Sequence, residues 1–377
     1  MRLKKWLFLA AALACVALAA AEPAKVKVGF YIDSGSLGCG VLYWARILYF
    51  SPQLEVTLVN GKDIRDGKLR GLDLLMVPGG SSSRQCKAMG EKGMAEVRRF
   101  VADGGAYLGV CAGYHCALRG KERIGLFTYR RRENGYGGLA ALRVELNENA
   151  EKVLGIPKGN YNVRYSHGPI VRSAPDTATG DVAAKTEVLG VYRGTVSPAG
   201  SRGIDFFGAP AVLFGTYGRG KIVATSCHPE SRTASWPIAL GCVYAATGVK
   251  PTPRLPVKVY RPIRVGYLAP STIGKKRIRE VVELDRDREI DLHFVDPNAL
   301  EEGILSHLDV MIYPEGMKNT EKMAAGRRKI LVEFMERGGK LLAAASFAQD
   351  MPQHKNLRPF TAAESLIAAV KAPNGEK

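Results

Sequence analysis

Three observations predict an α/β chain built from two doubly wound parallel sheets, the second smaller and degenerate. Short apolar runs alternate with helical periods through residues 26–110, the pattern of strands joined by crossover helices. Three of those runs return in the same order after residue 262. The 377 residues exceed one ordinary domain, and 46% hydrophobic with 24% charged residues describes a chain that folds around buried cores.

The first 21 residues stand apart from that pattern. Arg2, Lys4 and Lys5 precede an apolar run over residues 6–21, and Ala19-Ala20-Ala21 before Glu22-Pro23 offers a small-x-small cleavage site. This reads as a secretory signal peptide, so a secreted or periplasmic protein is expected. The run is short for a spanning helix and nothing later is long enough, so no stable membrane anchor is expected. Lipidation at Cys15 is the weaker reading, because Ala12 stands where such signals usually carry leucine.

Residues 22–248 read as the first domain. A strand over 26–32 and a loop over 33–38 lead to a helix near 39–50. Strands follow at 54–59 and 72–77, the second ending in Pro78-Gly79-Gly80. Residues 91–102 form an amphipathic helix with Met94, Val97 and Val101 on one face. Residues 104–113 then run as a strand into Cys111, flanked by small residues, with a helix able to start at Tyr114. From 124 to 220 the period shortens to glycine-rich alternating strands. Gly218-Arg219-Gly220 is read as the turn of a hairpin between 211–217 and 221–227, and residues 233–246 as a helix.

Proline recurs at 251, 253, 256 and 262, which marks 249–262 as a stiff linker. The second domain, 263–350, echoes the first: Arg264-Val265-Gly266-Tyr267-Leu268 repeats Lys27-Val28-Gly29-Phe30-Tyr31, and the segments beginning at Leu308 and Phe334 repeat those beginning at Leu72 and Phe100. That register puts Ala345 where Cys111 stands and Glu315 at the position of Gly79, so the copy lacks a nucleophile. Residues 351–377 form a tail with a short apolar helix over 361–372.

The formal charge of +18 becomes +15 without the three basic leader residues. A basic surface steers anions. No nucleic-acid module is present and an exported protein rarely meets nucleic acid, so no nucleic-acid partner is expected. Seven cysteines become six when Cys15 leaves, and their spacing fits no zinc site or disulfide framework. No metal and no cofactor are expected.

Three pieces carry the chemistry. A cysteine on a sharp strand-to-helix turn has room for a substrate at its sulfur, and the helix N-terminus favours a thiolate; a buried structural cysteine is the plainer alternative. Pro78-Gly79-Gly80 falls at a strand end, where ligands bind in such sheets. His228-Pro229-Glu230 ends a later strand, whose alternation would set His228 and Glu230 on one side.

A Pro-Gly-Gly loop, a Gly-Val-Cys-Ala-Gly turn and a distant His-Pro-Glu, in that order, resemble the class I glutamine amidotransferase-like superfamily. Within it the chain is most similar to the amino-terminal part of biotin-protein ligase, through Cys-Ala-Gly-Tyr and Tyr165-Ser166-His167-Gly168-Pro169. The resemblance covers about residues 26–246 and implies a flavodoxin-like first domain with a Cys111, His228, Glu230 triad. It also implies an oxyanion hole from the backbone amides of Gly80 and Ala112, with Gly79 beside the substrate. Glutamine-using members often carry glutamine four residues after the cysteine; here that residue is His115. His115 reads equally as a substrate contact, a competing base or a packing residue, and His167 as a pocket residue or part of a turn. The expected function is a cysteine-dependent amidohydrolase or acyl-transfer enzyme acting on a small-molecule or peptide-like substrate. The alternative is a ligand-binding or scaffold protein that retains a remnant triad.

Overall fold

In the computed structural model the residues described are 24–132, 138–171, 185–196, 204–270, 272–300, 303–315, 321–349, 351–360 and 365–373. The leader segment therefore lies outside the described residues. The chain opens with β1 (Val26–Tyr31), α1 (Cys39–Tyr49), β2 (Leu54–Val59), α2 (Gly61–Arg65), β3 (Leu74–Val77), α3 (Ser82–Ala102), β4 (Ala106–Val110) and α4 (Ala112–Ala117). It continues through β5 (Leu139–Leu146), α5 (Glu148–Leu154), β6 (Gly159–Ser166), β7 (Lys185–Arg193), the short pair β8 (Thr195–Val196) and β9 (Ile204–Asp205), β10 (Pro210–Tyr217), β11 (Gly220–Thr225) and α6 (Trp236–Thr247).

These strands form one nine-stranded sheet in the order β2-β1-β3-β4-β11-β10-β7-β5-β6. The five from β2 to β11 are parallel, as the crossover pattern predicts. The central β3 and β4 are buried at every residue, which is why they read as unbroken apolar runs, whereas the outermost β2 alternates. The hairpin turns at Gly218 between β10 and β11, and β10, β7, β5 and β6 extend the sheet antiparallel. Those four are the glycine-rich alternating strands of the sequence. Helix α3 begins nine residues earlier than its amphipathic stretch, and a left-handed Gly90 (φ 65°) breaks it into two pieces.

The second unit comprises β12 (Ile263–Leu268), α7 (Lys275–Arg286), β13 (Ile290–Val295), β14 (Val310–Tyr313), α8 (Glu321–Glu336), β15 (Lys340–Ala344), α9 (Ala345–Ala348), β16 (Leu357–Phe360) and α10 (Leu366–Lys371). Its parallel sheet has the order β13-β12-β14-β15-β16, matching β2-β1-β3-β4-β11 strand for strand.

The correspondence extends to packing. Val28 pairs with Leu74 in the first sheet as Val265 pairs with Val310 in the second. Asp73 accepts the Lys27 amide on its side chain and the Ala106 amide on its carbonyl, and Asp309 does the same for Arg264 and Lys340. A Cβ on Gly105 would strike the Phe100 ring at 2.4 Å, and one on Gly339 the Phe334 ring at 2.3 Å. In each copy only glycine lets the chain cross that ring into the fourth strand.

The two units meet across α1 and α7. Arg46 on α1 holds Asp285 in a fork at 2.6 and 3.0 Å and reaches the Leu292 carbonyl at 2.8 Å. Lys275 bonds Asp63 at 2.6 Å, Arg164 bonds Asp296 at 2.8 Å, and Tyr43 packs edge-on against Phe294. Aliphatic residues of both units, including Ile47, Leu48, Ile278 and Val282, belong to one continuous core.

Candidate active site

Cys111 lies one residue beyond the buried β4 and caps α4 with φ 51° and ψ −99°. A side chain pays a steric cost in that region, and such strain persists only where the surroundings over-determine it. Here the Cys111 amide donates to the Thr225 carbonyl at the end of β11, and its carbonyl accepts from the His115 amide of α4. Two close approaches complete the turn. A Cβ on Gly113 would sit 2.0 Å from the Val77 carbonyl, and one on Gly109 would sit 2.6 Å from Gly113. The small residues flanking the cysteine are thus required by the turn itself. Ala345, its counterpart by register, follows Ala344 at φ −55° and ψ 143°, so the second copy lacks the strained turn as well as the sulfur.

His228 reaches Cys111 from the segment after β11. Its amide donates to the Arg164 carbonyl, its ring lies beside Cys111 across Gly79, and Nδ1 lies 2.7 Å from Glu230 Oε1. Glu230 stands on a 3₁₀ turn, Pro229–Ser231, so its place beside His228 comes from a turn and not from strand alternation. It is fully buried, its carbonyl accepts the Trp236 indole N–H, and Oε2 has no partner among the described residues. Burial opposes a charge on His228, but the Glu230 carboxylate and then Cys111 outweigh it, and the imidazole is pushed up to about 10. The ring therefore carries a proton at neutral pH.

Two glycines admit this ring. A Cβ on Gly79 would lie 2.8 Å from His228 Cε1 and 3.6 Å from Cys111 Cβ. One on Gly40, in the first turn of α1, would lie 2.6 Å from Glu230 Oε1 and 3.0 Å from His228 Nδ1. Gly80 has φ 138° and pairs with Ser36 in an antiparallel bridge closed by Leu37 N–H to Gly79 O and Ser81 N–H to Gly35 O. In that bridge the Gly80 amide points away from Ser36. The Ala112 amide is the first of α4 and has no partner within the helix. Of the two amides expected at an oxyanion, that of Ala112 follows Cys111 in the chain and that of Gly80 follows Gly79, whose added Cβ would stand 3.6 Å from Cys111 Cβ.

The two further histidines sit differently. His115 Nδ1 lies 2.9 Å from Ser82 Oγ at the start of α3, and burial with Arg123 and Arg131 pushes its pKa down to about 4. Its ring thus pairs with Ser82 and not with the nucleophile. His167 is exposed at φ 55°, with its amide on the Gly138 carbonyl. The neighbouring Ser166 carbonyl, 3.4 Å from Cys111 Sγ, is the group from that segment that reaches the nucleophile.

Sequence reasoning passed over Ser166 because a backbone carbonyl leaves no residue-type signature. It also passed over Gly40, although a glycine inside the first turn of a helix is a signal of close approach. Beside the triad, a cleft of about 410 Å³ opens between the two units, with Tyr43, Arg164, Arg232, Phe294 and Asp296 in its walls. The six described cysteines are free and buried, and the Cys86 and Cys116 sulfurs lie 3.3 Å apart. Among the described residues no helix is long and apolar enough to cross a membrane, and no cluster of three or more His, Cys, Asp or Glu side chains is disposed to hold a metal ion.

Comparison with known proteins agrees with this architecture in one segment. A protein of Chlamydia muridarum (strain MoPn / Nigg), described only as uncharacterized, is 36% identical over 78 residues, 20% of this chain and 30% of that protein. The chain thus spans less than a third of this relative. Among solved structures, PurLQS from Thermotoga maritima is 16% identical with a TM-score of 0.41, covering 59% of this chain and 97% of that one. A ThuA-like protein from Bacteroides uniformis is 12% identical with a TM-score of 0.42, covering 61% and 94%. Residues 46–124, which run from α1 past the nucleophile turn, match the family model described as biotin-protein ligase, N terminal, and that family has the class I glutamine amidotransferase-like fold.

Proposed function

We propose that this chain is an exported cysteine-dependent amidohydrolase or acyl-transfer enzyme in which Cys111 forms a thioester with its substrate. The observation that carries the reading is the buried His228–Glu230 pair, 2.7 Å apart, set beside Cys111 across Gly79 at a strained strand-to-helix turn. A structural cysteine needs neither the strain nor a buried ion pair behind it.

His228 enters the cycle protonated, its imidazolium stabilised by Glu230, and Cys111 reacts as the thiolate. Sulfur attacks the carbonyl carbon of an amide or ester, and the C=O π pair moves onto oxygen, facing the Gly80 and Ala112 amides. Collapse expels the amine or alcohol, which takes the proton from His228, and leaves a thioester. Water, or an acceptor nucleophile, then attacks the thioester while the neutral His228 accepts its proton, and collapse expels the sulfur as the thiolate, restoring the ion pair. With His115 held by Ser82 and the second copy lacking a nucleophile, glutamine is not assigned as the substrate.

Alkylation with iodoacetamide followed by peptide mapping tests the reading. Cys111 is expected to react at pH 7 at least tenfold faster than the other buried cysteines, and His228→Ala to slow it to their level. Equal sluggishness of all cysteines would overturn the enzyme reading and leave the alternative, a ligand-binding protein with a remnant triad.

A further inference from the structure

The second unit has no nucleophile, yet its loop between β12 and α7 touches the β1–α1 loop, which in turn pairs with Gly80. Ile273, fully buried, donates its amide to the Ser36 carbonyl at 3.3 Å. Ser36 lies opposite Gly80 in the bridge described above. In that bridge the amide and carbonyl of Ser36 face away from Gly80, the amide donating to Asp33 O and the carbonyl accepting from Ile273. Ile273, Ser36 and Gly80 thus form three successive rungs. The second unit stands at one edge and the Gly80 amide at the other.

The rungs are symmetric in origin. The Ile32 amide bonds the Val59 carbonyl as the Ala269 amide bonds the Val295 carbonyl, so the two loops share one register. Counting forward from those residues makes Ile273 the counterpart of Ser36. The helices that follow, α1 and α7, also correspond and pack on each other. The two copies therefore meet through equivalent surfaces, as the halves of a two-fold dimer do. That geometry brings the loop after the first strand of each copy to the pseudo-axis. Ion pairs flank the contact: Lys275 with Asp63, and Arg46 with Asp285, whose side chains are 14% and 4% exposed.

We infer that the degenerate second unit is a brace for the oxyanion loop, with Ile273 the positioning residue that fixes Ser36 and, through it, the Gly80 amide. The inference rests on the enzymatic reading for its catalytic consequence, but not for the brace itself. Oxyanion donors act only where the developing charge will sit, so a loose loop costs acyl transfer more than it costs reactions that form no oxyanion.

Two electrophiles separate these effects at Cys111. Acylation by p-nitrophenyl acetate passes through an oxyanion, whereas alkylation by iodoacetamide does not. In the full chain, Ile273→Pro removes the donor, and Asp285→Asn loosens the docking without touching the loop. Both are expected to lower the acylation rate about tenfold or more while changing alkylation less than twofold, and Asp285→Glu to recover part of the loss. Hydrogen exchange gives a readout independent of catalysis: the Leu37 and Ser81 amides should exchange at least tenfold faster in either variant. Unchanged exchange and an unchanged acylation-to-alkylation ratio in a folded Asp285→Asn protein would overturn the brace, even if Ile273→Pro fails to fold. If wild-type Cys111 reacts with neither electrophile, the enzymatic reading falls and the exchange rates still decide the brace.

Discussion

Replacing Glu230 with glutamine removes the charge behind His228 and leaves its shape. In the native chain the Nδ1 to Oε1 contact is 2.7 Å, with the two side chains 10% and 0% exposed. Raising a histidine from its ordinary value near 6.5 to about 10 corresponds to a ceiling of about 5 kcal/mol of preferential stabilisation of the imidazolium. Cys111 supplies part of that, and glutamine keeps a neutral hydrogen bond, so the loss expected for Glu230→Gln is about 2–3 kcal/mol. The sign follows from linkage. A folded-state pKa above the unfolded one contributes stability that is complete below about pH 6.5 and disappears as the pH rises through about 10. Urea denaturation of both proteins at pH 6 to 10.5 should therefore show a gap of about 2–3 kcal/mol at pH 6 that closes at the alkaline end. A gap that stays constant, or widens with pH, would refute an imidazolium held by Glu230.

Two further perturbations probe the surroundings of the triad. Gly79→Ala would place a methyl group 2.8 Å from His228 Cε1 and 3.6 Å from Cys111 Cβ, a clash that displaces the ring from its place beside the sulfur. The expected result is a folded protein with Cys111 alkylation slowed at least tenfold, and wild-type reactivity would show that the ring does not depend on this approach. His115 has a folded pKa pushed down to about 4, so the unfolded chain binds the extra proton as pH falls from 6.5 to 4 and stability declines over that window. His115→Gln should reduce the acid loss by up to about 3 kcal/mol in urea titrations at pH 4 and 7. An identical acid loss in both proteins would mean that the ring is not held neutral in the fold.

Much of the architecture is legible in the chain itself. The unbroken apolar runs at β3 and β4, the small residues around Cys111 and the glycine hairpin at 218 each impose a local geometry through sterics and burial that few folds accommodate. The repeat was readable for the same reason, because Gly105 over Phe100 and Gly339 over Phe334 require the same residue types at the same spacing. Local pattern is silent on which turns bring distant groups together. The Ser166 carbonyl reaches Cys111 because β6 pairs with the segment at His228, a contact across more than fifty residues that no residue type announces. Glu230 lies beside His228 through a 3₁₀ turn where strand alternation had been expected.

By itself, then, the sequence determined the two doubly wound sheets and the duplication, and it singled out a cysteine, a histidine and an acid as candidates. These follow from local periodicity and side-chain type. Only the tertiary structure decided that His228 is held as an imidazolium, that His115 turns to Ser82, and that Ile273 of the inert copy stands behind the Gly80 loop. Each of those depends on burial and on contacts between distant segments, which arise only when the chain has folded.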